Sequence, residues 1–238
     1  WGMAHAMGPN ANSRYARMPD DPKGEGLKAI ERALEKIDQA TPLEKEIIEA
    51  MYVFYDRDSI NDADLRDQAY LRKMRDLNKK YPNDPDIAAL YAGSYMSIRR
   101  WDYWDKSGNP KGETLEVAEA LEHIIDMGIS HPGVFHLHIH LIEASSQPER
   151  ALISANSLEK TVPIVGHVVH MPAHIYIRVG DYQKAIDNNI RSQRVDKDLE
   201  KLWDDMPLPN LGTYPLSHKL HAGHALDFIR YAATVQGN

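Results

Sequence analysis

The sequence predicts an all-α protein built from antiparallel helix pairs. Apolar residues recur with helical spacing along most of the chain, as at Leu27, Ile30, Leu34 and Ile37. Strand signals are weak, because alternating β-branched runs are few and Asn-Gly or Asp-Gly hairpin turns do not occur. A segment in the C-terminal half repeats after 34 residues, as stacked helix pairs do. We therefore expect one all-helical domain over residues 1–238.

Helix limits follow from the apolar periodicity and from capping residues. Thr41, with Pro42 and Glu44 behind it, is typical of an N-cap and first turn. Gly180 and Asp181 mark a tight turn between two helices of a pair. An aromatic insert at 101–113 and a Pro/Gly-rich loop at 206–212 interrupt the pattern. Helices are expected at 26–40, 41–55, 62–80, 85–100, 114–128, 133–146, 148–161, 165–179, 181–197 and about 216–236.

Most of the twelve histidines fall in three short stretches that begin at His131, Gly166 and Ser217. The 34-residue shift that places Ala185 on Ala151 also pairs the histidines of the first two stretches: His170 falls on His136, and His174 falls on His140. Histidines that recur at equivalent points of a repeat lie on one surface once the repeats stack. The recurring histidines therefore indicate a functional site on that surface.

The segment VGDYQKAIDNNIRSQRVD resembles the second half of a tetratricopeptide repeat, with Ala185 at the tight helix-crossing position and Tyr176 as the aromatic residue of the preceding helix. The similarity is best over 133–197. It implies a right-handed superhelix whose first helices line a concave groove. The chain also resembles a group of bacterial repeat proteins with WG-x-A, GPN-x-N, H-x3-H-x2-E and GH-x2-HMP-x-H motifs, which begin here at Trp1, Gly8, His136 and Gly166.

Each histidine stretch presents its polar groups on one helix face. Because a helix turns by ~100° per residue, His167, His170 and His174 fall within an arc of about 60°. The set His136, His140 and Glu143 does the same on the preceding repeat. The resemblance implies that both sets face the groove.

The last helix can be aligned in the same way. A shift of 57 residues, which places Gly237 on Gly180, puts His224 on His167, Asp227 on His170 and Tyr231 on His174. We expect His224 and Asp227 to join the ligand set and Tyr231 to contact a substrate. His138 points to the other side of its helix and is left out.

Clustered imidazoles favour a divalent transition metal, with Zn, Fe or Cu as the candidates. The predicted ligands are His136, His140, His167, His170, His174, His224 and Asp227. Glu143, the candidate catalytic residue, has three open roles: a ligand, a general base for a bound water, or a partner that orients a histidine. The ligands exceed one mononuclear site, so either two metals bind or some of these residues contact substrate.

Three further residues are candidate substrate contacts. Trp101 and Trp104 would form an aromatic lid over the groove, or would pack the insert onto the scaffold. Arg178, one turn beyond the second histidine set, would bind a substrate carboxylate or form a surface ion pair.

Composition limits the partners. The net charge of −7 argues against nucleic acid or an anionic membrane surface as the general partner. No apolar run approaches the ~18 residues that span a bilayer. The sequence therefore predicts a soluble protein, in the cytoplasm or the periplasm. The chain contains no cysteine, so thiolate ligands are excluded.

Two functions remain open at this point. The first is a metal-binding protein, with or without metal-dependent catalysis on a small molecule in the groove. The second is a repeat scaffold that binds a peptide or partner protein without catalysis. Stacked imidazoles favour the first, because peptide-binding repeats commonly offer Lys, Arg and Asn. A third possibility is histidines that merely pack and bond to backbone carbonyls.

Overall fold

A computed structural model describes residues 25–205 and 219–237. Within these ranges the regular structure is helical, apart from one isolated bridge between Trp104 and Pro110, which confirms the all-α class. The chain divides into two compact units between Asp126 and Met127. The WG-x-A and GPN-x-N motifs and the 206–212 loop lie outside the described residues. None of the described helices combines the length and apolarity that a bilayer crossing requires.

The described part of the first unit contains five α-helices, each packed on the next along the chain. They are α1 (Glu25–Leu34), α2 (Pro42–Tyr55), α3 (Ala63–Lys80), α4 (Pro85–Arg99) and α5 (Thr114–Asp126), with a 3-10 turn at Ile37–Gln39 between the first two. The expected helix 26–40 thus ends early at Leu34, and the 3-10 turn takes up part of its remaining length.

Side-chain caps set where these helices begin. Thr41 and Glu44 form a capping box, in which the Thr41 amide donates to the glutamate at 2.8 Å and the Glu44 amide donates to the threonine hydroxyl at 3.3 Å. Asp62 accepts from the Leu65 amide at 3.0 Å and starts α3. Asp84 accepts from the Ile87 amide at 3.0 Å, and Pro85 follows as the first residue of α4.

The aromatic insert packs onto the first unit through the buried Tyr103, and the Tyr95 hydroxyl also donates to the Lys111 carbonyl at 2.8 Å. Tyr103 is fully buried, with its ring centroid 6.3 Å from that of Tyr95. Trp101 is 46% exposed and contacts Tyr103 at a ring distance of 6.4 Å. Its backbone has φ of 70° and Arg100 has φ of 44°, so the chain leaves α4 through two left-handed residues that are not glycine.

The described part of the second unit contains six α-helices. They are α6 (Pro132–Ile142), α7 (Leu152–Thr161), α8 (Gly166–His170), α9 (Pro172–Val179), α10 (Tyr182–Asp205) and α11 (Lys219–Gln236), with a 3-10 turn at Pro148–Ala151. The helix α6 packs on α7, and α9 packs on α7 and α10. The long α10 packs on both α8 and α11. It continues to Asp205, beyond the limit of 197 that the sequence pattern predicts.

Two local features shape the helices that carry the histidines. Pro172 divides the expected helix 165–179 into α8 and α9, because proline has no amide hydrogen to continue the helical ladder. Gly180 has φ of 85° and ends α9, with the Asp181 amide donating to the Tyr176 carbonyl at 2.8 Å. At the start of α6, His131 accepts from the Val134 amide at 3.1 Å through Nδ1 and acts as its N-cap.

The two alanines related by the 34-residue shift, Ala151 and Ala185, are both completely buried. Ala185 lies near the start of α10, which packs against α8 and α9. A small residue at this position allows the neighbouring backbones to approach closely.

Replacing Ala185 with leucine should therefore lower the free energy of unfolding by roughly 1–3 kcal/mol, the usual cost of overpacking a closed core position. Urea unfolding followed by circular dichroism measures the loss. Gln183→Leu is the matched control, because Gln183 lies in the same turn but is exposed. Equal stability of the two variants would contradict a close helix contact at Ala185.

Candidate metal centre

Six histidines gather in the second unit as two triads. The first triad consists of His136, His140 and His167, and the second consists of His170, His174 and His224. Within each triad, one ring nitrogen per residue lies within 4.8 Å of the others, close enough for one ion to bind all three. Among the described residues, neither triad includes a carboxylate.

The first triad joins α6 to α8. His136 and His140 lie one turn apart on α6, with ring centroids 4.9 Å apart. His167 enters from the first turn of α8, and its Nε2 lies 3.1 Å from the Nε2 of His136. His140 is 2% exposed, whereas His136 and His167 are partly exposed.

The second triad joins α8 and α9 to α11. His170 ends α8, and His174 follows on α9 after the Pro172 break. Their Nε2 atoms are 2.8 Å apart. His224 on α11 completes the set, with its ring centroid 4.7 Å from that of His170. His170 and His174 are buried, but His224 is exposed.

Glu143 connects the two triads. It is the C-cap residue of α6, and its two carboxylate oxygens have different partners. The Oε1 atom lies 3.1 Å from Nδ1 of His140, in the first triad. The Oε2 atom is hydrogen-bonded to Nδ1 of His174, in the second triad. Of the three roles that the sequence leaves open for Glu143, this geometry favours the orienting partner.

Asn189 plays a similar part for His170 alone. Its Oδ1 lies 2.6 Å from Nδ1 of His170, and its Nδ2 donates to the Ala185 carbonyl at 2.7 Å. The Ala185 bond fixes the direction of the amide, because the opposite orientation would place two acceptor oxygens against each other. The Oδ1 atom therefore accepts a hydrogen bond from Nδ1–H of His170.

These acceptors fix the tautomers of three histidines. An ionised carboxylate and an amide oxygen can only accept, so Nδ1 carries the hydrogen in His140, His170 and His174. In the neutral form of each ring, the lone pair then lies on Nε2. The Nε2 atoms of His170 and His174 thus oppose lone pair to lone pair at 2.8 Å. Two acceptors this close repel each other unless a cation, either a proton or a metal ion, lies between them.

In the first triad, burial makes a proton an unfavourable cation. Burial lowers the pKa of His136 well below its ordinary value of 6.5, and the neighbouring His140, His167 and His174 lower it further. Burial also lowers the pKa of His140, although Glu143 acts in the opposite direction. For Glu143 itself burial alone would raise the pKa, but His174 and His140 lower it to about 2, so its carboxyl is ionised at neutral pH.

On α11 the structure brings one residue to the cluster that the sequence did not indicate. The ring of Phe228 lies 4.7 Å from the rings of both His170 and His174. It follows His224 by one helical turn, so the spacing from His224 would have identified it. Asp227 instead is exposed and pairs with Arg230 at 3.5 Å, and Tyr231 is 54% exposed. Neither belongs to a triad.

Among the described residues, the other candidate contacts belong to neither triad. Arg178 on α9 donates to the Ser145 carbonyl at 3.2 Å. Trp101 and Trp104 belong to the insert of the first unit, and their role as substrate contacts stays a prediction. His138 is completely buried on α6, where its Nδ1 lies 2.8 Å from the Ser154 hydroxyl.

The comparisons with known proteins leave the family open. No family model, no curated protein and no solved structure significantly matches this chain. The relationship to tetratricopeptide-repeat proteins therefore stays a prediction.

Nuclear magnetic resonance can determine the tautomers of the three histidines directly. Two-bond ¹H–¹⁵N correlation spectra of the metal-free protein at neutral pH should show His140, His170 and His174 protonated at Nδ1, because an acceptor oxygen faces that nitrogen in each ring. Asn189→Leu should release this preference at His170 and leave it unchanged at His140. An Nε2–H pattern at His170 in the unaltered chain would contradict the proposed hydrogen bond.

The stability of the metal-free protein should fall as the pH is lowered below about 6.5. The unfolded chain takes up protons near the ordinary histidine pKa of 6.5, while His136 in the fold resists protonation. Between the two pKa values the unfolded state binds more protons, so the free energy of unfolding rises with pH, by at most about 1.4 kcal/mol per pH unit for each such group.

Urea unfolding at a series of pH values, with a chelator present, measures this slope. His136→Gln should flatten it, because glutamine does not titrate. The neighbouring His140, His167 and His174, which also affect the pKa of His136, remain in both proteins. A slope that is the same with and without His136 would contradict the lowered pKa.

Proposed function

We propose that the second unit binds divalent transition-metal ions through its histidine triads. The observation that carries this proposal is the pair of Nε2 atoms of His170 and His174, whose lone pairs oppose each other at 2.8 Å. Two nitrogens that bind one tetrahedral ion at 2.0–2.1 Å lie about 3.3 Å apart. The separations of 2.8 Å and 3.1 Å are therefore near the value that a shared ion requires.

The donor set supports Zn, Cu or Fe as the ion. Neutral imidazole is a borderline ligand that suits these metals, whereas Mg²⁺ and Ca²⁺ prefer oxygen ligands. The hydrogen bonds at Nδ1 of His140, His170 and His174 support the same conclusion. Histidine ligands of metal ions almost always donate their second N–H to a carboxylate, a carbonyl or water.

The proposed function includes metal-dependent chemistry on a small molecule. Three imidazoles leave at least one position of a bound ion open, and an ion of this kind activates water or polarises a carbonyl. On the protein side, Glu143 holds the hydrogens of two histidines at Nδ1, and Phe228 covers the second triad with an apolar ring.

The proposed scaffold is a right-handed superhelix of the tetratricopeptide type with the triads in its concave groove. Support comes from the 34-residue offset, which relates His136 to His170 and Ala151 to Ala185, and from the complete burial of both alanines. In this arrangement successive first helices would supply the ligands.

Elemental analysis of protein purified without a metal-affinity column tests the proposal. The unaltered chain should contain at least one transition-metal ion, and His140→Ala/His174→Ala should reduce the content to background. The matched control is His123→Ala/His138→Ala, which also removes two histidines but leaves both triads intact. Circular dichroism checks that all three proteins keep their helix content.

Two results would overturn the metal proposal. One is an unaltered chain that takes up no metal even after reconstitution with Zn, Fe, Cu, Ni and Mn. The other is full metal content in the His140→Ala/His174→Ala variant. The first result would favour the repeat scaffold that binds a peptide.

A further inference from the structure

We infer that the two triads hold two metal ions as a linked pair, and that the shared carboxylate of Glu143 is the positioning residue for both. This inference rests on the proposed metal binding and adds the number of ions and the link between them.

The first argument is that the two triads are built on the same plan. Each combines two histidines one turn apart with one histidine from a helix later in the chain. The 34-residue shift carries His136 and His140 onto His170 and His174. The 57-residue shift carries His167 onto His224. Because each triad is a complete set of three and no histidine belongs to both, the repeat supplies two sites.

The second argument comes from the distances. Two Nε2 to Nε2 separations, 3.1 Å between His136 and His167 and 2.8 Å between His170 and His174, each lie within one triad. The triads are nevertheless adjacent, since the ring centroids of His140 and His174 are 5.4 Å apart. Six imidazoles of this arrangement form two neighbouring sites of three nitrogens each. Three ligands with an open position are typical of reactive rather than structural sites.

The third argument is the position of Glu143. One oxygen faces His140 in the first triad and the other faces His174 in the second, and both bonds are made to Nδ1. Loss of such a hydrogen-bond partner typically weakens a metal site by roughly 10–100-fold. Because a single carboxylate serves both triads, its loss should weaken both ions. It would also supply one negative charge close to both triads.

Asn189 provides the contrast that makes this testable. It bonds to Nδ1 of His170, so it serves only the second triad. Its loss should weaken one ion and leave the other unchanged. A general loss of packing would not separate the two variants in this way.

The experiment is a calorimetric titration of the metal-free chain with Zn²⁺, with bound metal counted by elemental analysis. The unaltered chain should bind two ions. His136→Gln and His224→Gln should each bind one, because each removes a ligand from a different triad. Glu143→Leu, which removes both acceptor oxygens, should weaken both ions by roughly 10–100-fold, and Asn189→Leu should weaken one.

A second readout separates positioning from mere stability. A glutamine offers one acceptor oxygen where the glutamate offers two, so its NH₂ must face one of the two histidines. In Glu143→Gln the ¹⁵N spectrum should therefore show either His140 or His174 with its hydrogen moved from Nδ1 to Nε2. Unchanged tautomers at both histidines would overturn the positioning role of Glu143.

The remaining outcomes are distinct from one another. A single ion in the unaltered chain would overturn the pair and leave the proposed metal binding standing. Two ions of which Glu143→Leu weakens only one would overturn the link. No ion at all would overturn the proposed function itself.

Discussion

Hydrogen bonds at Nδ1 determine what the histidine cluster can do. An imidazole has two nitrogens, and only the one that lacks hydrogen can bind a cation. By accepting from Nδ1 of His140, His170 and His174, the side chains of Glu143 and Asn189 place the lone pairs on Nε2. Without these two acceptors the same six rings would pair among themselves as donors and acceptors, and the cluster would be an ordinary polar core.

The placement of Asn189 depends in turn on the long helix α10. Both ends of α8 are bonded to α10. Asn189 accepts a hydrogen bond from His170, the last residue of α8, and the Ser192 hydroxyl donates to the carbonyl of Gly166, the first residue of α8, at 2.8 Å. A Cβ atom on Gly166 would lie 1.8 Å from Oδ1 of Asp196, so the helices approach closely at this point. A helix of five residues has little stability of its own. Contacts with α10 therefore hold α8 in place.

The fold class and the histidines of both triads could be predicted from the sequence, because helical periodicity and the offsets of 34 and 57 residues are visible in it. The face of α11 that packs against the histidine cluster could not be predicted in the same way. The 57-residue shift predicted Asp227 and Tyr231 on the face of the cluster, whereas the structure places Phe228 against the rings and leaves those two residues exposed. That register is set by packing on α10, which a one-dimensional alignment does not describe.

Glu143 and Asn189 also differ in how far their roles could be predicted from the sequence. Glu143 was visible in the sequence because it continues the spacing of His136 and His140. Its bond to His174, 31 residues away, was not. Asn189 carried no signal at all, since its partner lies 19 residues back on a different helix. Ligands that recur within a repeat can be predicted from spacing, but the groups that orient them come from neighbouring helices.

The sharing of α8 between the two triads has a thermodynamic consequence. This helix gives His167 to one triad and His170 to the other, so each triad bridges different helices and neither is contained within one. In an array of stacked helices, stability divides into the intrinsic term of each unit and the interface term between neighbours. Because the ligands of each triad come from different helices, the free energy of metal binding would add to the interface terms between those helices. Metal would then act on cooperativity, making the helices of this unit unfold together rather than one after another.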